Sequence, residues 1–246
     1  MGSCAASVYN DAPMSATSPR RVGILAALPD ELQPVVRRLR LRRRLDIATG
    51  QFAGHDILAV VGGVGPEAAE RGTRRLIEAG CEVLLSIGFA GGLDPSLRVA
   101  DVVTLNAVVT PADVTHTTRP AARLRGVRGV TLGAPLGSVA AKGALHAATG
   151  AAVVDMETAA LADLADHHQV PWIGLRAVSD TAADELPAVV VRNIRPDLGR
   201  VLVAPLVARA VIDPRLWWPL LRLAVRSTRA GQALAEAVAA TLEALP

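Results

Sequence analysis

Val153–Asp180 reads VVDMETAALADLADHHQVPWIGLRAVSD, and the elements on either side take their meaning from it. Ala151–Val154 is a short apolar run that ends on the charge of Asp155. A helix opening at Asp155 or Met156 is predicted to run to His168, Pro171 punctuates, and Trp172–Val178 is an apolar run of strand length. On that helix Glu157 shares a face with Leu161 and Leu164, so a carboxylate heads the stripe expected to face the core. Arg176 interrupts IGLRAVS, where a strand buried on both faces should be uniformly apolar. Asp180 lies just past the strand's carboxyl end, where open α/β sheets bind their ligands.

Each charge has a structural reading. Glu157 suits the first turn of a helix, with Asp155 as its N-cap. Asp180 can cap the next element, and Arg176 can pair with either acid simply to neutralise it. Buried charges are costly unless paired, however, and perturbed charges cluster at functional sites. Three of them around one strand–helix–strand unit point to a ligand pocket.

Working upstream, Val22–Leu28 is a strand that turns through Pro29-Asp30-Glu31 into a helix ending in the run Arg37–Arg44. Proline followed by two acids is a helix start, and it also sets Glu31 on the rim expected for Asp180. A strand at Ile57–Val61 leads through Gly62-Gly63-Val64-Gly65-Pro66 into a helix to Ala79. Its backbone N–H groups could cradle an anion. It is not a dinucleotide fingerprint, because Ala68 stands where the third glycine belongs. Val83–Ile87 is a strand, and Gly88-Phe89-Ala90-Gly91-Gly92 reads as a turn whose missing side chains admit a ligand to the backbone. Asp101–Val109 and Val127–Leu132 are strands around a polar, irregular Pro111–Arg128 segment, and Ser138–Ala147 is a helix. This order gives a single-domain α/β fold with a mainly parallel sheet and helices on both faces. The domain spans 21–246 after a small, polar, Pro-containing segment at 1–20 that is expected to be disordered.

Composition narrows the function. The chain has 246 residues, 51% hydrophobic and 2% aromatic, so Val, Ala and Leu fill the core. A net charge of +3 and no recognisable motif argue against nucleic acid. Of 26 basic residues only Lys142 is a lysine, which reads as composition bias as much as chemistry. Two cysteines make no disulfide framework, and neither a spanning run nor a signal sequence is evident; the expectation is a cytoplasmic protein. No His/Cys spacing suits a metal, and no nucleophile elbow occurs. After Asp180 the chain ends in two helical segments. The last, Leu216–Leu245, carries Arg215, Arg222, Arg226 and Arg229 on one stripe beside Trp217 and Trp218. The stripe reads either as a solvated arginine face over packed tryptophans or as a peripheral contact with the inner membrane surface.

Several of these segments are similar, in register, to the purine nucleoside phosphorylase and nucleosidase superfamily. They are Gly63-Val64-Gly65, Gly88-Phe89-Ala90-Gly91-Gly92-Leu93, Val154-Asp155-Met156-Glu157-Thr158 and Arg176-Ala177-Val178-Ser179-Asp180. Ala27-Leu28-Pro29-Asp30-Glu31 and Ala112-Asp113-Val114-Thr115 resemble its methylthioadenosine/adenosylhomocysteine nucleosidase branch. The resemblance implies a mixed sheet partly closed into a barrel, a homodimer or larger homo-oligomer, and no cofactor beyond water or inorganic phosphate as co-substrate. It implies Asp180 as the acid that protonates the leaving purine and Glu31 as the base that activates water. It also implies Glu157 as the grip on the ribose hydroxyls, with Met156, Asp155, Ser179, Ala90 and Gly91 around the substrate and Arg176 as charge support. Gly63, Gly65 and Ser86 fall on the nucleophile side. Ser86 stands where family phosphorylases carry a phosphate-binding arginine, which favours water. Gly133-Ala134-Pro135-Leu136 replaces the nucleosidases' purine-side phenylalanine, and the shortened segment after Thr115 implies room for a large 5′ group. Arg195-Pro196-Asp197-Leu198-Gly199 and Leu216–Ala224, with Gly143-Ala144-Leu145-His146 and Thr149-Gly150-Ala151, resemble the hopanoid-associated branch, which implies an adenosylhopane-type, lipid-linked nucleoside. From about 196 onward the resemblance implies a helical C-terminal extension. Rival readings are a methylthioadenosine, adenosylhomocysteine or futalosine nucleosidase, and a nucleoside-binding sensor without chemistry.

Overall fold

The structure is a computed structural model that describes residues 20–246 except 113, 119, 120 and 122. The expected disorder up to residue 19 and Asp113 of the Ala112–Thr115 motif lie outside the described residues. β1 (Arg21–Ala26) turns through Leu28 into α1 (Pro29–Arg38), which begins on proline and carries Asp30 and Glu31 in its first turn. The helix stops at Arg38, and Arg42–Arg44 forms the edge strand β2 against β3 (Ile47–Phe52). A helix carried to Arg44 is thereby corrected. Leu39 and Leu41 turn into the core while Arg42–Arg44 stay exposed. A row of arginines at a sheet edge discourages further pairing.

β4 (His55–Val61) leads through the glycine turn into α2 (Pro66–Glu78). β5 (Val83–Gly92) then runs straight through Gly88–Gly92, where the sequence predicts a turn. Those residues are held by pairing on both sides, which keeps the backbone extended. The chain continues with β6 (Val102–Val109), β7 (Thr115–Thr117) inside the segment expected to be irregular, and β8 (Arg125–Thr131). Next come α3 (Val139–Thr149), β9 (Val153–Asp155), α4 (Thr158–His167) and β10 (Trp172–Asp180).

β10 pairs in parallel with β5 and antiparallel with β6; β6 joins β8, β8 joins β9, and β9 returns to β5. These five strands close a barrel. β1, β4, β3 and β2 extend the sheet from β5, giving the partly closed mixed sheet that the sequence leads one to expect. Helices cover both faces: α1 and the end of the chain pack on one, α2 and α4 on the other.

Beyond β10 lie α5 (Ala188–Asn193), a two-stranded ladder of β11 (Ile194–Arg195) and β12 (Arg200–Val201), α6 (Val203–Ile212) and α7 (Trp217–Glu243). α7 has two halves. From Ala230 to Leu242 it contributes core residues against α1, with Gly231 close to Pro34. From Trp217 to Arg229 it stands on the surface, with Trp217 63% and Trp218 67% exposed. The tryptophans are therefore not packed beneath an arginine face. Among the described residues no helix is long and apolar enough to cross a membrane.

Candidate active site

Glu31, Glu157, Met156, Asp155, Ser179, Asp180, Ala90 and Gly91 line one cavity of about 300 Å³. Gly63, Gly65, Ser86 and Arg176, named on the same resemblance, are absent from that wall. The carboxylates reach the cavity from three places: the start of α1, the start of α4 and the end of β10.

Glu31 is 4% exposed and held by backbone donors. Its Oε2 accepts the N–H groups of Ala27 at 2.9 Å and Leu28 at 2.8 Å, and its Oε1 accepts that of Phe89 at 2.8 Å. Burial pushes its carboxyl up from the ordinary glutamate value, against the pull of those three N–H groups and of Arg176. The glycine stretch makes room for it. A methyl group on Gly88 would sit 3.0 Å from Glu31 Oε1, and one on Gly91 would sit 3.4 Å from Asp180 Oδ2. The missing side chains therefore admit the protein's own carboxyls to the β5 backbone.

Glu157 does not sit within the helix as the periodicity predicts. α4 begins at Thr158, whose N–H donates to Asp155 Oδ1 at 3.3 Å, and Glu157 occupies the cap position. Its carboxyl turns instead toward the glycine turn, where Oε1 accepts the Gly65 N–H at 2.8 Å. Burial, then the neighbouring charges of Asp155 and Glu31, push its carboxyl up to about 8. Its protonated form is thereby stabilised, and that form can donate as well as accept a hydrogen bond to a sugar hydroxyl.

Arg176 is 1% exposed, and each of its five N–H groups has a protein acceptor. Nε donates to Asp155 Oδ2 at 2.7 Å. Nη1 donates to the Ser86 and Leu175 carbonyls at 2.9 and 2.8 Å. Nη2 donates to Ser86 Oγ at 2.9 Å and to Thr158 Oγ1. No donor remains for a ligand, so Arg176 supports the site from beneath. Asp155 is committed likewise, accepting from Arg176, from Thr131 Oγ1 at 2.6 Å and from Thr158. The nucleophile side is equally occupied. Ser86 Oγ holds Arg176, the Gly65 N–H holds Glu157, and the Val64 N–H donates to the Gly199 carbonyl at 3.0 Å.

Asp180 is 4% exposed and forms an ion pair with Lys142, which is fully buried. Ser179 Oγ donates to Asp180 Oδ1 at 2.7 Å. Sequence reasoning set Lys142 aside, although its being the chain's one lysine was a visible signal. It also gave Phe89 no role, although Phe89 lines the cavity, as do Ala134, Pro135 and Leu136 of the stretch that the resemblance sets beside the purine.

The outer wall comes from the far end of the chain, through Leu186, Val190, Leu206, Leu220, Leu223 and Ser227. Leu206, Leu220, Leu223 and Ser227 also line a second cavity of about 1110 Å³ between α1, α6 and α7. The carboxylate pocket and this larger space, whose lining also includes Asp30, Gln33, Arg37, Arg38 and Glu236, thus share a wall.

Comparison with known proteins matches residues 15–204 to the phosphorylase superfamily. Among solved structures, S-adenosylhomocysteine nucleosidase from Streptococcus pyogenes superposes with a TM-score of 0.71 at 20% identity, covering 94% of this chain and all of that one. The 5′-methylthioadenosine/S-adenosylhomocysteine nucleosidase of Campylobacter jejuni gives 0.68 at 17% identity over 92% of this chain and all of its own. Futalosine hydrolase of Helicobacter pylori gives 0.69 at 16% identity, covering 92% of this chain and 98% of that one. At these identities the likeness establishes a shared fold.

Proposed function

Because the chain belongs to the phosphorylase superfamily, we propose that it hydrolyses the N-ribosidic bond of a purine nucleoside that carries a large apolar 5′ substituent. The substrate class is an adenosyl group joined through its 5′ carbon to a triterpene, as in adenosylhopane. The observation that carries this reading is the wall shared by the two cavities. One side has acids suited to cleaving a glycosidic bond; the other is a larger space in which the aliphatic Val203, Leu206, Val211, Leu220 and Leu223 stand with Asp30, Arg37, Arg38 and Glu236, offering an apolar chain one greasy side.

Breaking this bond passes through an oxocarbenium-like state, with positive charge on the ribose and negative charge on the base. Asp180 supplies the proton that lets the base leave. Glu31, fixed by its three backbone donors, orients and deprotonates the attacking water. Glu157, carrying its own proton, holds the ribose hydroxyls, with Met156 beside the sugar. Water is favoured over phosphate because Ser86 Oγ and the Val64 and Gly65 N–H groups already have protein partners. The exposed Trp217, Trp218, Leu221 and Val225, flanked by exposed Arg215 and Arg222, suit delivery of such a substrate from a lipid surface.

The test is to incubate the protein with adenosine, methylthioadenosine and a lipid-extended adenosine, with and without phosphate, and to measure adenine and the sugar product. Free sugar formed without phosphate, fastest from the lipid-extended substrate, is expected. A ribose 1-phosphate requirement overturns the role given to Glu31, and a preference for methylthioadenosine returns the function to the shorter-chain nucleosidases. Flotation with anionic liposomes is expected to carry the wild type and to leave W217A/W218A behind; equal behaviour removes the lipid-surface contact.

A further inference from the structure

Lys142 is the one lysine among 26 basic residues, and it is the one buried residue of α3. Its ammonium has three acceptors: Asp180 Oδ2, the Thr181 carbonyl at 2.8 Å and the Asp184 carbonyl at 3.0 Å. The Asp184 carboxylate faces elsewhere, to the Thr181 N–H at 2.9 Å, to Thr181 Oγ1 at 2.7 Å and to Arg226 at 2.9 Å. Lys142 therefore has Asp180 as its sole ion-pair partner among the described residues.

Burying an ammonium is costly, and an arginine holds a carboxylate at least as firmly with more donors. This chain uses arginine at 25 of its 26 basic positions and keeps lysine here. The chemical difference is that an ammonium can release a proton, whereas a guanidinium in a protein does not. We propose that Lys142 and Asp180 act as one acid, in which Lys142 holds the proton that Asp180 hands to the departing purine. The inference rests on the nucleoside-cleaving reading of the site.

As the C1′–N9 bond breaks, its electron pair goes to the base; Nζ passes a proton to the Asp180 carboxylate as Asp180 passes one to N7, leaving Asp180 a carboxylate and Lys142 a neutral amine. The attacking water adds its oxygen to C1′ and gives its proton to Glu31, and that proton equivalent returns to Nζ through solvent after the products leave. Lys142 never touches the substrate; it is a positioning residue that acts through Asp180.

Two leaving groups separate this role from a structural one. Adenine departs from adenosine only with a proton at N7, whereas nitrophenolate departs from 4-nitrophenyl ribofuranoside without one. K142M removes the charge at similar length, and K142R keeps the charge without a releasable proton. Both are expected to lower kcat on adenosine by on the order of 100-fold or more, with KM and turnover of the nitrophenyl substrate nearly unchanged. D180N is expected to show the same split, and K142R/D180N to lose no more than D180N alone. Restored adenosine turnover in K142R overturns the proposal, because charge then suffices. Unchanged turnover in K142M, or equal loss on both substrates in a variant with a wild-type melting curve, overturns it as well. If K142M does not fold, K142R carries the test. A wild-type protein that cleaves neither substrate refutes the reading of the whole site, a result distinct from any variant's.

Discussion

Replacing Arg176 by methionine tests whether the site rests on one buried cation. The substitution keeps an unbranched stem that ends about where Nε lies and removes all five donors. Asp155 loses its ion-pair partner and keeps only the hydroxyls of Thr131 and Thr158 and the Thr158 N–H. The Ser86 hydroxyl and carbonyl lose their Arg176 donors. Removing one member of a buried ion pair costs about 3–5 kcal/mol, chiefly through the charge left behind. In a chain of this size each kcal/mol moves the melting temperature by about 2–4 °C, so R176M should melt roughly 6–20 °C lower. Adding D155N removes the orphaned charge while keeping the shape. The double variant should recover at least about 1 kcal/mol of the loss, a non-additivity expected of residues in direct contact. Thermal melts and urea titrations of the four proteins provide the measurement. A melting point within about 2 °C of wild type for R176M, or strictly additive costs, refutes the assignment of Arg176 as the support beneath the pocket.

Glu157 sets a pH dependence with a definite sign. Its carboxyl lies at about 8 in the fold against 4.5 ordinarily, so between those values the folded protein holds a proton that the unfolded chain has released. The stability this gives is fully present below the ordinary value and is lost as pH rises through about 8. E157Q should flatten the decline between pH 5 and 8 by on the order of 3 kcal/mol, and a slope identical to wild type in urea titrations excludes it. Gly65 has φ of 92°, and a methyl group there would lie 2.7 Å from Pro196 Cβ. G65A should therefore lose about 1–3 kcal/mol and, by shifting the N–H that holds Glu157, raise KM; unchanged melting and KM count against that link. D180N strips the buried Lys142 ammonium of its counter-charge and should cost about 3–5 kcal/mol of stability. The folded variant should cut purine release by about 10²–10⁴-fold, and wild-type release of adenine by it removes Asp180 from the mechanism.

The carboxylates were legible because an acid at a strand end or in a helix's first turn conflicts with, or just satisfies, a local rule that the sequence displays. Asp180 follows an apolar strand, and Glu31 follows the Pro29 that opens a helix. Arg176 was legible as an anomaly, although its partner was not, since Asp155 and Glu157 stand equally near in sequence. Only the start of α4 at Thr158 separates them, sending one acid down to Arg176 and the other across to Gly65. Gly88–Gly92 misled because glycine clusters read as turns, whereas pairing from two sides holds these residues in β5. Lys142 was the largest omission. Its burial depends on the approach of the Asp180–Asp184 segment to α3, and nothing in AAKGALHAAT foretells that contact.

The C-terminal segment completes the argument about substrate size. The segment after Thr115 lies on the start of β10 and on β6, with the Thr118 hydroxyl on the Trp172 carbonyl and the Ala121 N–H on Thr104 Oγ1, and none of its described residues lines the pocket. α5, α6 and the surface half of α7 supply the outer wall of the pocket, which is aliphatic except at Ser227. The second half of α7 is anchored in the core against α1, so this wall is tied to the same helix that carries Glu31 in its first turn. Apolar lining continues from the acids, past Leu220 and Leu223, to a surface bearing Trp217. A small, polar 5′ group would gain little from such a lining, whereas each methylene buried along it contributes about 0.8 kcal/mol. The proposed selectivity for an extended apolar group would rest on this wall, and the proposed chemistry on the strand–helix–strand unit at Val153–Asp180 together with Glu31. Truncating Leu220 and Leu223 to alanine should accordingly weaken binding of a lipid-extended nucleoside while leaving cleavage of adenosine nearly unchanged. Equal losses on both substrates would show that these leucines maintain the pocket as a whole, with no passage for the 5′ chain.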